Sequence, residues 1–279
     1  MAGQILVLGA TGHVGRPLTA ALVARGESVK AASRTARPVG GARAVRFDLA
    51  DPSTFAAAFE GVDRAFVMAP TGTVEVEKLL TPVISAAAER GVGVVLMSAF
   101  GVDADDELPY RRIERVLAAS GAPHAVVRPN WFSDNFHVFW KPALLFGQLA
   151  LPAGDGKTSF VDTRDVAASA ASLLTTRGLR GEAFDLTGPQ ALGYAEALAI
   201  LGRALGRTLL YTPVEGEAFV ALLRGFGTPE ADARMMAAMF IPVRAGFCAR
   251  VTQDVETLTG ETPRALEAYA RDHLADLVI

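Results

Sequence analysis

The chain contains a single cysteine, Cys248, among 279 residues. One thiol excludes an intramolecular disulfide and any metal site built from several cysteines. It also suits a reducing compartment, so we expect the protein to act in the cytoplasm. The four histidines show no metal-ligand spacing, and the sequence therefore predicts no metal centre.

The chain also lacks an excess of charge of either sign, because 27 basic and 30 acidic residues give a formal net charge of −3. A nucleic-acid backbone requires a basic footprint, so nucleic acid is not an expected partner. No secretory signal is visible, and the longest apolar stretch, from 138 to 151, is interrupted by Lys141, Pro142 and Gln148, which argues against membrane insertion. The expected partner is a small molecule, and the composition is equally compatible with a monomer and a homo-oligomer.

A strongly apolar segment at the N-terminus runs into three regularly spaced glycines. Gln4 to Leu8 reads as a buried strand, and a helix is predicted from Val14 to Arg25. Glycines let the backbone turn tightly and approach a pyrophosphate, and the amide groups at the start of the following helix attract its negative charge. The G-x-x-G-x-x-G spacing is a variant of the dinucleotide fingerprint G-x-G-x-x-G. We therefore predict a cofactor cradle that includes Gly9, Thr11, Gly12, His13, Val14 and Gly15.

The end of the second predicted strand indicates which dinucleotide binds. This strand, 28–32, ends at Ser33 and Arg34, and Arg37 follows. In a dinucleotide fold an acid at this position accepts from the ribose 2′-hydroxyl, whereas a basic side chain meets a 2′-phosphate. No acid follows until Asp48, so the sequence favours NADP(H). Asp48 fits two roles equally well, as an acceptor for the adenine amino group or as a loop residue.

Further strands are predicted at 44–47, 64–68, 92–97 and 124–128, alternating with helices. Apolar strands in this alternation indicate a parallel sheet with both faces covered, and so a Rossmann-type, doubly wound α/β fold. Ligands of such sheets lie beyond the carboxyl ends of the strands, which adds Ala69, Pro70 and Ser98 to the predicted cofactor site.

Two regions are predicted along the chain. Residues 1–130 form the NADP(H)-binding core, and residues 131–279 form a smaller, mainly helical substrate lobe, with about 160–188 returning to the main sheet. A small hairpin or strand pair is predicted within 149–161, and another strand at 209–212. Asp162 and Asp165 resemble a catalytic carboxylate pair, but helix capping and a favourable charge in the first helical turn explain them more simply.

Aromatic residues concentrate between 131 and 140, in a chain of which only 8% is aromatic. Such side chains usually pack in a core. Placed just beyond the carboxyl end of a strand, they also form one wall of an apolar ligand pocket, and the two roles stay open here. The predicted substrate pocket comprises Asn130, Trp131, Phe132 and Phe136.

The chain resembles the NmrA-like atypical short-chain dehydrogenases/reductases, above all bacterial relatives of ergot-alkaloid biosynthesis reductases, with triphenylmethane reductase and isoflavone reductase-like enzymes more distant. The resemblance runs along almost the whole chain. It rests on Gly9 to Gly15, Ala32-Ser33-Arg34, Phe47-Asp48-Leu49, Ser98-Ala99, Ser120-Gly121, Arg128-Pro129-Asn130-Trp131-Phe132, Asn135-Phe136, and the stretches 160–167, 186–189 and 251–260. It implies an NADP(H)-dependent oxidoreductase of secondary metabolism, with Leu49 and Pro129 among the cofactor-binding residues and a C-terminal part that shapes the substrate pocket.

The chain departs from ordinary short-chain dehydrogenases at the proton donor. Those enzymes use Tyr-x-x-x-Lys, in which the lysine lowers the tyrosine pKa. Here Tyr110 is followed four residues later by Glu114, although it occupies the region where relatives carry a catalytic lysine or histidine. Tyr110 is therefore the predicted catalytic residue, with simple packing beside Ile113 and Leu117 as the alternative.

Together these features predict an NADPH-dependent reductase that transfers hydride to an apolar, conjugated or aromatic small molecule through a C=N, C=O or activated C=C bond. The alternative is a non-catalytic NADP(H)-binding sensor or regulatory protein. The fold alone does not separate the two, because one fold supports many functions.

Overall fold

The structure is a computed structural model that describes residues 3–73, 75–176 and 178–278. In chain order the strands are β1 (Gln4–Leu8), β2 (Val29–Ser33), β3 (Arg43–Arg46), β4 (Val62–Val67), β5 (Gly93–Met97), β6 (His124–Pro129), β7 (Gln148–Leu151), β8 (Lys157–Thr158), β9 (Ala183–Leu186), β10 (Leu192–Gly193) and β11 (Leu210–Pro213). The helices are α1 (Gly15–Ala24), α2 (Phe55–Phe59), α3 (Val76–Ala88), α4 (Pro109–Ala119), α5 (Asn135–Val138), α6 (Lys141–Phe146), α7 (Thr163–Thr175), α8 (Tyr194–Leu205), α9 (Gly216–Gly225), α10 (Glu230–Ala238), α11 (Ile241–Arg244), α12 (Asp254–Thr259), α13 (Leu266–Asp272) and α14 (Leu274–Val278).

The chain divides into two compact units. Unit 1 contains the residues up to Pro129, Thr163–Leu186 and Asp254–Glu261, and unit 2 contains Asn130–Asp162, Thr187–Gln253 and the residues from Thr262 onward. The predicted division placed 254–261 in the substrate lobe, and the structure differs. The reason is that α12 packs against two elements of unit 1. The Leu258 carbonyl of α12 accepts a hydrogen bond of 2.6 Å from the Ser172 hydroxyl of α7, and the Asp254 carboxylate of α12 accepts one of 2.7 Å from the Asp185 amide of β9.

Unit 1 is built on one parallel sheet. Among the described residues seven strands pair in the order β3-β2-β1-β4-β5-β6-β9, all parallel. The central strands are mainly apolar, as expected when helices cover both faces of a sheet. For example, Ile5, Leu6 and Val7 of β1 have no accessible surface. This doubly wound arrangement confirms the predicted fold class.

Unit 2 is mainly helical and has its own apolar core, in which aromatic side chains are prominent. The predicted hairpin within 149–161 is wrong. Strand β7 pairs in parallel with β11, and β8 pairs in antiparallel with β10, so each strand finds a partner far along the chain rather than its neighbour. The strand predicted at 209–212 is present as β11.

Helix α7 begins at Thr163, with Asp165 in its first turn and buried, as the capping interpretation of this segment expects. Within the part of the chain that the structure describes, every helix is too short or too polar to cross a bilayer.

Candidate functional site

The glycine-rich turn after β1 is closed so tightly that a side chain does not fit inside it. A Cβ at Gly15 would lie 2.1 Å from the Gly9 carbonyl oxygen and 2.8 Å from the Ala10 Cα. Gly9 has φ +66°, a left-handed conformation that costs glycine little. The first turn of α1 is thus pressed directly against the end of β1, and only glycine at position 15 permits this approach.

The middle of this turn faces solvent. Thr11, Gly12 and His13 are exposed, whereas Val14 is buried and anchors the turn to the core of unit 1. The first turn of α1 carries no acidic side chain, and no side chain caps the helix at Val14. Because amide groups at a helix start attract anions, this exposed turn has the chemistry of a phosphate cradle.

The end of β2 carries the groups predicted to select the cofactor. Ser33 is half-buried, and its hydroxyl accepts a hydrogen bond of 3.3 Å from the Arg37 amide. Arg34 and Arg37 are both exposed. Ala36 lies between them with φ +48°, a conformation that non-glycine residues rarely adopt. The resulting sharp turn presents two guanidinium groups beyond the carboxyl end of the strand.

Asp48 and Leu49 lie beyond β3 and are half-buried. The Asp48 carboxylate accepts from the Ala50 amide at 3.0 Å, and the Asp48 amide donates to the Thr54 hydroxyl at 3.1 Å. Leu49 packs against the core of unit 1. Asp48 thus stabilises its own loop, which does not prevent it from accepting a further hydrogen bond, so its cofactor role stays a prediction.

The other predicted cofactor residues in unit 1 also lie at the carboxyl ends of strands. Ala69 and Pro70 follow β4, Ser98 follows β5, and Pro129 ends β6. Ala69, Ser98 and Pro129 are buried, whereas Pro70 is exposed. Among the described residues, the Ser98 hydroxyl makes no hydrogen bond that meets the usual distance and angle limits, although Glu114 lies beside it. Assignment of these residues to the cofactor stays a prediction.

Tyr110 lies in the first turn of α4, on the face that packs against the core of unit 1. Burial raises the pKa of its hydroxyl above the ordinary tyrosine value. Ile113 and Leu117 on the same face have no accessible surface. Packing against the core therefore accounts for the position of Tyr110, and its catalytic role stays a prediction.

In unit 2, Asn130 joins three segments of chain. Its side-chain amide donates to the Ser159 hydroxyl at 2.8 Å and to the Cys248 carbonyl at 2.9 Å, while its side-chain oxygen accepts from the Trp131 amide at 2.9 Å. The side chain is buried and well paired. Asn130 therefore positions Trp131, and any contact it makes with a substrate stays a prediction.

The predicted pocket aromatics differ in exposure. Trp131 and Phe132 are half-buried, whereas Phe136 has no accessible surface. The Trp131 ring lies 4.8 Å from that of Phe240, and the Phe136 ring lies 5.0 Å from that of Trp140. Phe136 thus has a core role in this structure, while Trp131 and Phe132 retain surface that a ligand can contact. The pocket itself stays a prediction.

Sequence reasoning missed one polar cluster of unit 2. The rings of His137 and His273 lie nearly parallel with centroids 5.1 Å apart, and each has a protein partner. His137 Nδ1 pairs with the Tyr269 hydroxyl, and His273 Nδ1 lies 2.9 Å from an Asp276 oxygen. His137, His273 and Asp276 place possible metal-ligand atoms within 4.8 Å of one another. Because α5 and α14 are far apart in sequence, no residue spacing in the sequence predicts this group.

Two concave surfaces of unit 1 lie away from these residues. One, of about 590 Å³, is lined by residues at the amino end of β4, including Gly61 and Val62. The other, of about 620 Å³, lies along the outer sides of α3 and α4. Ligands of parallel sheets bind at the carboxyl ends, so neither hollow is assigned to the cofactor.

The parallel sheet and the glycine-closed turn at its carboxyl edge define unit 1 as a Rossmann-type dinucleotide-binding unit. The chain belongs to the NmrA-like family, which matches residues 1–269. The resemblance seen in the sequence is therefore confirmed.

Individual relatives are similar over most of their length. The NAD(P)H azoreductase of Xenophilus azovorans is 31% identical over 283 residues, which cover 98% of this chain and 98% of that protein. Agroclavine dehydrogenase of Claviceps fusiformis is 29% identical over 255 residues, 86% of this chain and 87% of its own. Among solved structures, the NADPH-dependent quinone oxidoreductase of Escherichia coli complexed with NADPH matches 98% of this chain and 100% of its own, with a TM-score of 0.85 and 25% identity.

Proposed function

We propose that this protein is an NADPH-dependent reductase that transfers hydride to an apolar small molecule. It is an NAD(P)H-dependent oxidoreductase of the atypical short-chain dehydrogenase/reductase type, in keeping with its family and with relatives named as azoreductase and quinone oxidoreductase. The observation that carries the proposal is the turn in which a Cβ at Gly15 would collide with the Gly9 carbonyl. Such close backbone packing at the carboxyl edge of a parallel sheet is what pyrophosphate binding requires.

The residues present fit NADP(H). The exposed turn of Thr11, Gly12 and His13 would hold the pyrophosphate through backbone amides, while Ser33 and Arg34 would hold the 2′-phosphate. When bound, the cofactor supplies the hydride. The protein's part is to bind, to orient and to keep water from the reacting atoms.

Trp131 and Phe132 are proposed to contact the substrate in unit 2. Both residues are partly accessible, and the Trp131 ring stacks on Trp140, which is also partly accessible. Flat aromatic faces favour apolar, conjugated ligands. Asn130 contributes by fixing the backbone of Trp131.

The kind of bond reduced is proposed from Tyr110. Burial raises the pKa of its hydroxyl, and the residue four positions later is Glu114 rather than a lysine that would lower that pKa. A weakly acidic tyrosine favours acceptors that need no strong acid as hydride arrives. Iminium C=N bonds, quinone C=O bonds and activated C=C bonds meet this condition, because the reduced product is either neutral or a stabilised anion.

The proposal is tested by following NADPH oxidation with a panel of quinones, enones, cyclic iminium ions, azo compounds and triarylmethane dyes. NADPH carrying deuterium at C4 should transfer that deuterium to any carbon acceptor, as detected by mass spectrometry of the product. We expect turnover with at least one electron-poor acceptor. Tight NADPH binding without turnover of any acceptor would contradict the reductase and favour the sensor.

The substitution Tyr110→Phe separates the acceptor types. If Tyr110 supplies the proton to a neutral enone or ketone, turnover with that acceptor should fall by about 10²-fold, a usual loss for a general acid. Turnover with an iminium ion should stay nearly unchanged, because no proton accompanies its hydride. An equal loss with both acceptors, measured under the same conditions, would show that Tyr110 acts through packing.

A further inference from the structure

Unit 1 contains a buried ion pair near the carboxyl end of its sheet. Arg128 of β6 is 7% exposed, and two nitrogens of its guanidinium bind the two oxygens of the Glu114 carboxylate. Nε donates to Oε1 at 2.9 Å, and Nη2 donates to Oε2 at 2.7 Å. The Glu114 side chain is only 4% exposed. A two-point contact of this kind fixes orientation as well as charge.

The same guanidinium reaches two further segments of unit 1. Nη1 of Arg128 lies 2.9 Å from an Asp103 oxygen in the segment after β5, and 3.9 Å from an Asp185 oxygen in β9. Arg111 adds a contact of 3.1 Å to Glu114 from the same helix. One arginine thus connects α4, the segment after β5, and β9 to the end of β6.

The charges within this network are mutually compensated. Burial acts to raise the pKa of Glu114, but the hydrogen bonds from Arg128, the adjacent Ser98 hydroxyl and the contact with Arg111 outweigh burial and hold that pKa below its ordinary value. Glu114 is therefore a carboxylate at neutral pH, and removal of Arg128 would leave it buried with much of its compensation lost.

Stability alone does not explain the pair, because apolar residues of similar volume commonly replace a buried ion pair without loss of stability. Its location is more informative. Glu114 follows Tyr110 by one helical turn, in the position that holds lysine in Tyr-x-x-x-Lys enzymes. An uncompensated carboxylate there would oppose ionisation of Tyr110, and the guanidinium of Arg128 cancels that charge.

We propose that Arg128 is a positioning residue for the proposed reduction: through Glu114 and Asp103 it fixes α4 and the segment after β5, and so the places of Tyr110 and Ser98 at the carboxyl edge of the sheet. This inference rests on the proposed function. It assigns Arg128 no contact with substrate or cofactor.

The experiment compares Arg128→Met, Glu114→Leu and the double variant, each assayed for thermal midpoint, NADPH dissociation constant, kcat and KM. We expect Arg128→Met to lose both stability and turnover. The double variant should regain part of the stability, because the buried Glu114 carboxylate is removed together with its partner, although Asp103 and Asp185 still lose their contact with Arg128. Its kcat should nevertheless stay about 10- to 100-fold below wild type, the scale expected when reacting groups are displaced by about 1 Å. The KM for NADPH should change little.

A milder pair of variants covers the case in which these proteins fail to fold. Asp103→Asn removes the negative charge from one contact of Arg128, on a side chain that is 43% exposed. Glu107→Gln, in the same segment, is the matched control, because Glu107 pairs with the exposed Arg112 instead. We expect Asp103→Asn to lower kcat severalfold at an unchanged thermal midpoint, and Glu107→Gln to leave kcat as it is. Arg128→Lys, which keeps the charge but loses the fork, should recover stability more fully than turnover.

A purely structural role predicts the opposite pattern, in which kcat follows stability and the double variant is fully active. That result, or equal kcat for Asp103→Asn and Glu107→Gln, would overturn the inference while the reductase assignment stands. A wild-type protein that reduces no acceptor would overturn both.

Discussion

The two units differ in the types of residue that form their cores. Unit 1 has a mainly aliphatic core, in which Phe47, Phe55 and Phe59 form one small aromatic cluster, with buried ionic contacts at the end of β6. Unit 2 has a network of aromatic rings and a neutral amide, Asn130, that joins its segments. The aromatic members in mutual contact are Trp131, Phe136, Trp140, Phe160, Tyr194, Tyr211, Phe219 and Phe240.

This difference separates the cofactor turn of unit 1 from the substrate surface proposed for unit 2. The glycine turn of unit 1 depends on backbone approach, so a single added carbon atom spoils it. The aromatic surface of unit 2 depends on side-chain volume, so its outer rings can change while its inner rings cannot. Substitutions matched across the two units should reveal this contrast.

The largest effect is expected inside unit 2. Phe136→Ala should lower the free energy of unfolding by about 3–5 kcal/mol, because it empties a fully buried ring site. Phe132→Ala is the matched variant, since Phe132 is half-buried. It should be folded but raise the KM of an apolar acceptor by about 10-fold or more, with NADPH affinity retained. Denaturation and steady-state kinetics on both variants test this. Similar stability losses would mean that Phe132 is a core residue as well.

A smaller loss is expected at the glycine turn. Gly15→Ala forces a Cβ to within 2.1 Å of the Gly9 carbonyl oxygen, and backbone cannot move as cheaply as a side chain. We expect a stability loss of about 1–3 kcal/mol or more and a comparable loss in NADPH binding.

The control for that variant is Gly216→Ala in unit 2. Gly216 is also the first residue of a helix, but open space surrounds its Cβ position. Alanine there should leave stability unchanged or slightly raised, because alanine favours helix more than glycine does. Fluorescence titration with NADPH and thermal denaturation compare the two. An unaffected Gly15→Ala protein would remove the observation on which the proposed function rests.

Cofactor preference should respond to Arg34. A charge-assisted contact with the 2′-phosphate contributes about 1.5–3 kcal/mol, so Arg34→Ala should weaken NADPH by roughly 10- to 150-fold and leave NADH nearly unchanged. The exposed Arg271 of α13, in unit 2, offers a control substitution of the same type. Titrations of each variant with NADPH and with NADH measure the two dissociation constants and test this prediction. Equal losses for NADPH and NADH would refute the assignment of Arg34.

The smallest effect is expected from the partly exposed contact between His273 and Asp276 in unit 2. The hydrogen bond from His273, aided by His137 and opposed by slight burial, lowers the pKa of Asp276. A lowered folded-state pKa stabilises the protein above the unfolded pKa, roughly 3.9, and this stabilisation is lost as pH falls through the folded value. Because the Asp276 side chain is 58% exposed, Asp276→Asn should cost at most about 1 kcal/mol near pH 6.

Urea denaturation at several pH values, with Glu267→Gln as an exposed control in α13, measures this difference. The gap between wild type and Asp276→Asn should close as the pH approaches and passes below the pKa of Asp276. A gap that persists unchanged in acid would mean that the Asp276 carboxylate contributes through something other than its charge.

The sequence predicted the structure of unit 1 better than that of unit 2. The strands of unit 1 and the turn from Gly9 to Gly15 were predictable, because both depend on residues close together in the chain. The hairpin within 149–161 was not, because β7 and β8 pair with β11 and β10, and strands with several possible partners give no register signal.

The site shows the same limit. Arg34 could be located by counting from the glycines, since the crossover between β1 and β2 fixes its place. The Glu114–Arg128 pair could not be predicted in this way. Glu114 lies on the same helical face as Ile113 and Leu117, which is a signal of a buried charge, but nothing local identifies its partner in β6. The contact of His137 with Tyr269 lies beyond any pattern in the sequence, because the two are 132 residues apart.

The hydrogen bonds of Asn130 have a consequence for biosynthesis. Its acceptor at Cys248 lies 118 residues further along the chain, so at 5–20 residues per second a ribosome needs about 6–24 s to deliver it. During that interval the nascent aromatic segment that follows Asn130 lacks the carbonyl that completes its anchor, whereas the glycine turn of unit 1, from Gly9 to Gly15, is synthesised within the first fifteen residues. A chaperone that protects apolar chain at the tunnel exit would therefore meet the segment that follows Asn130 before its anchor exists.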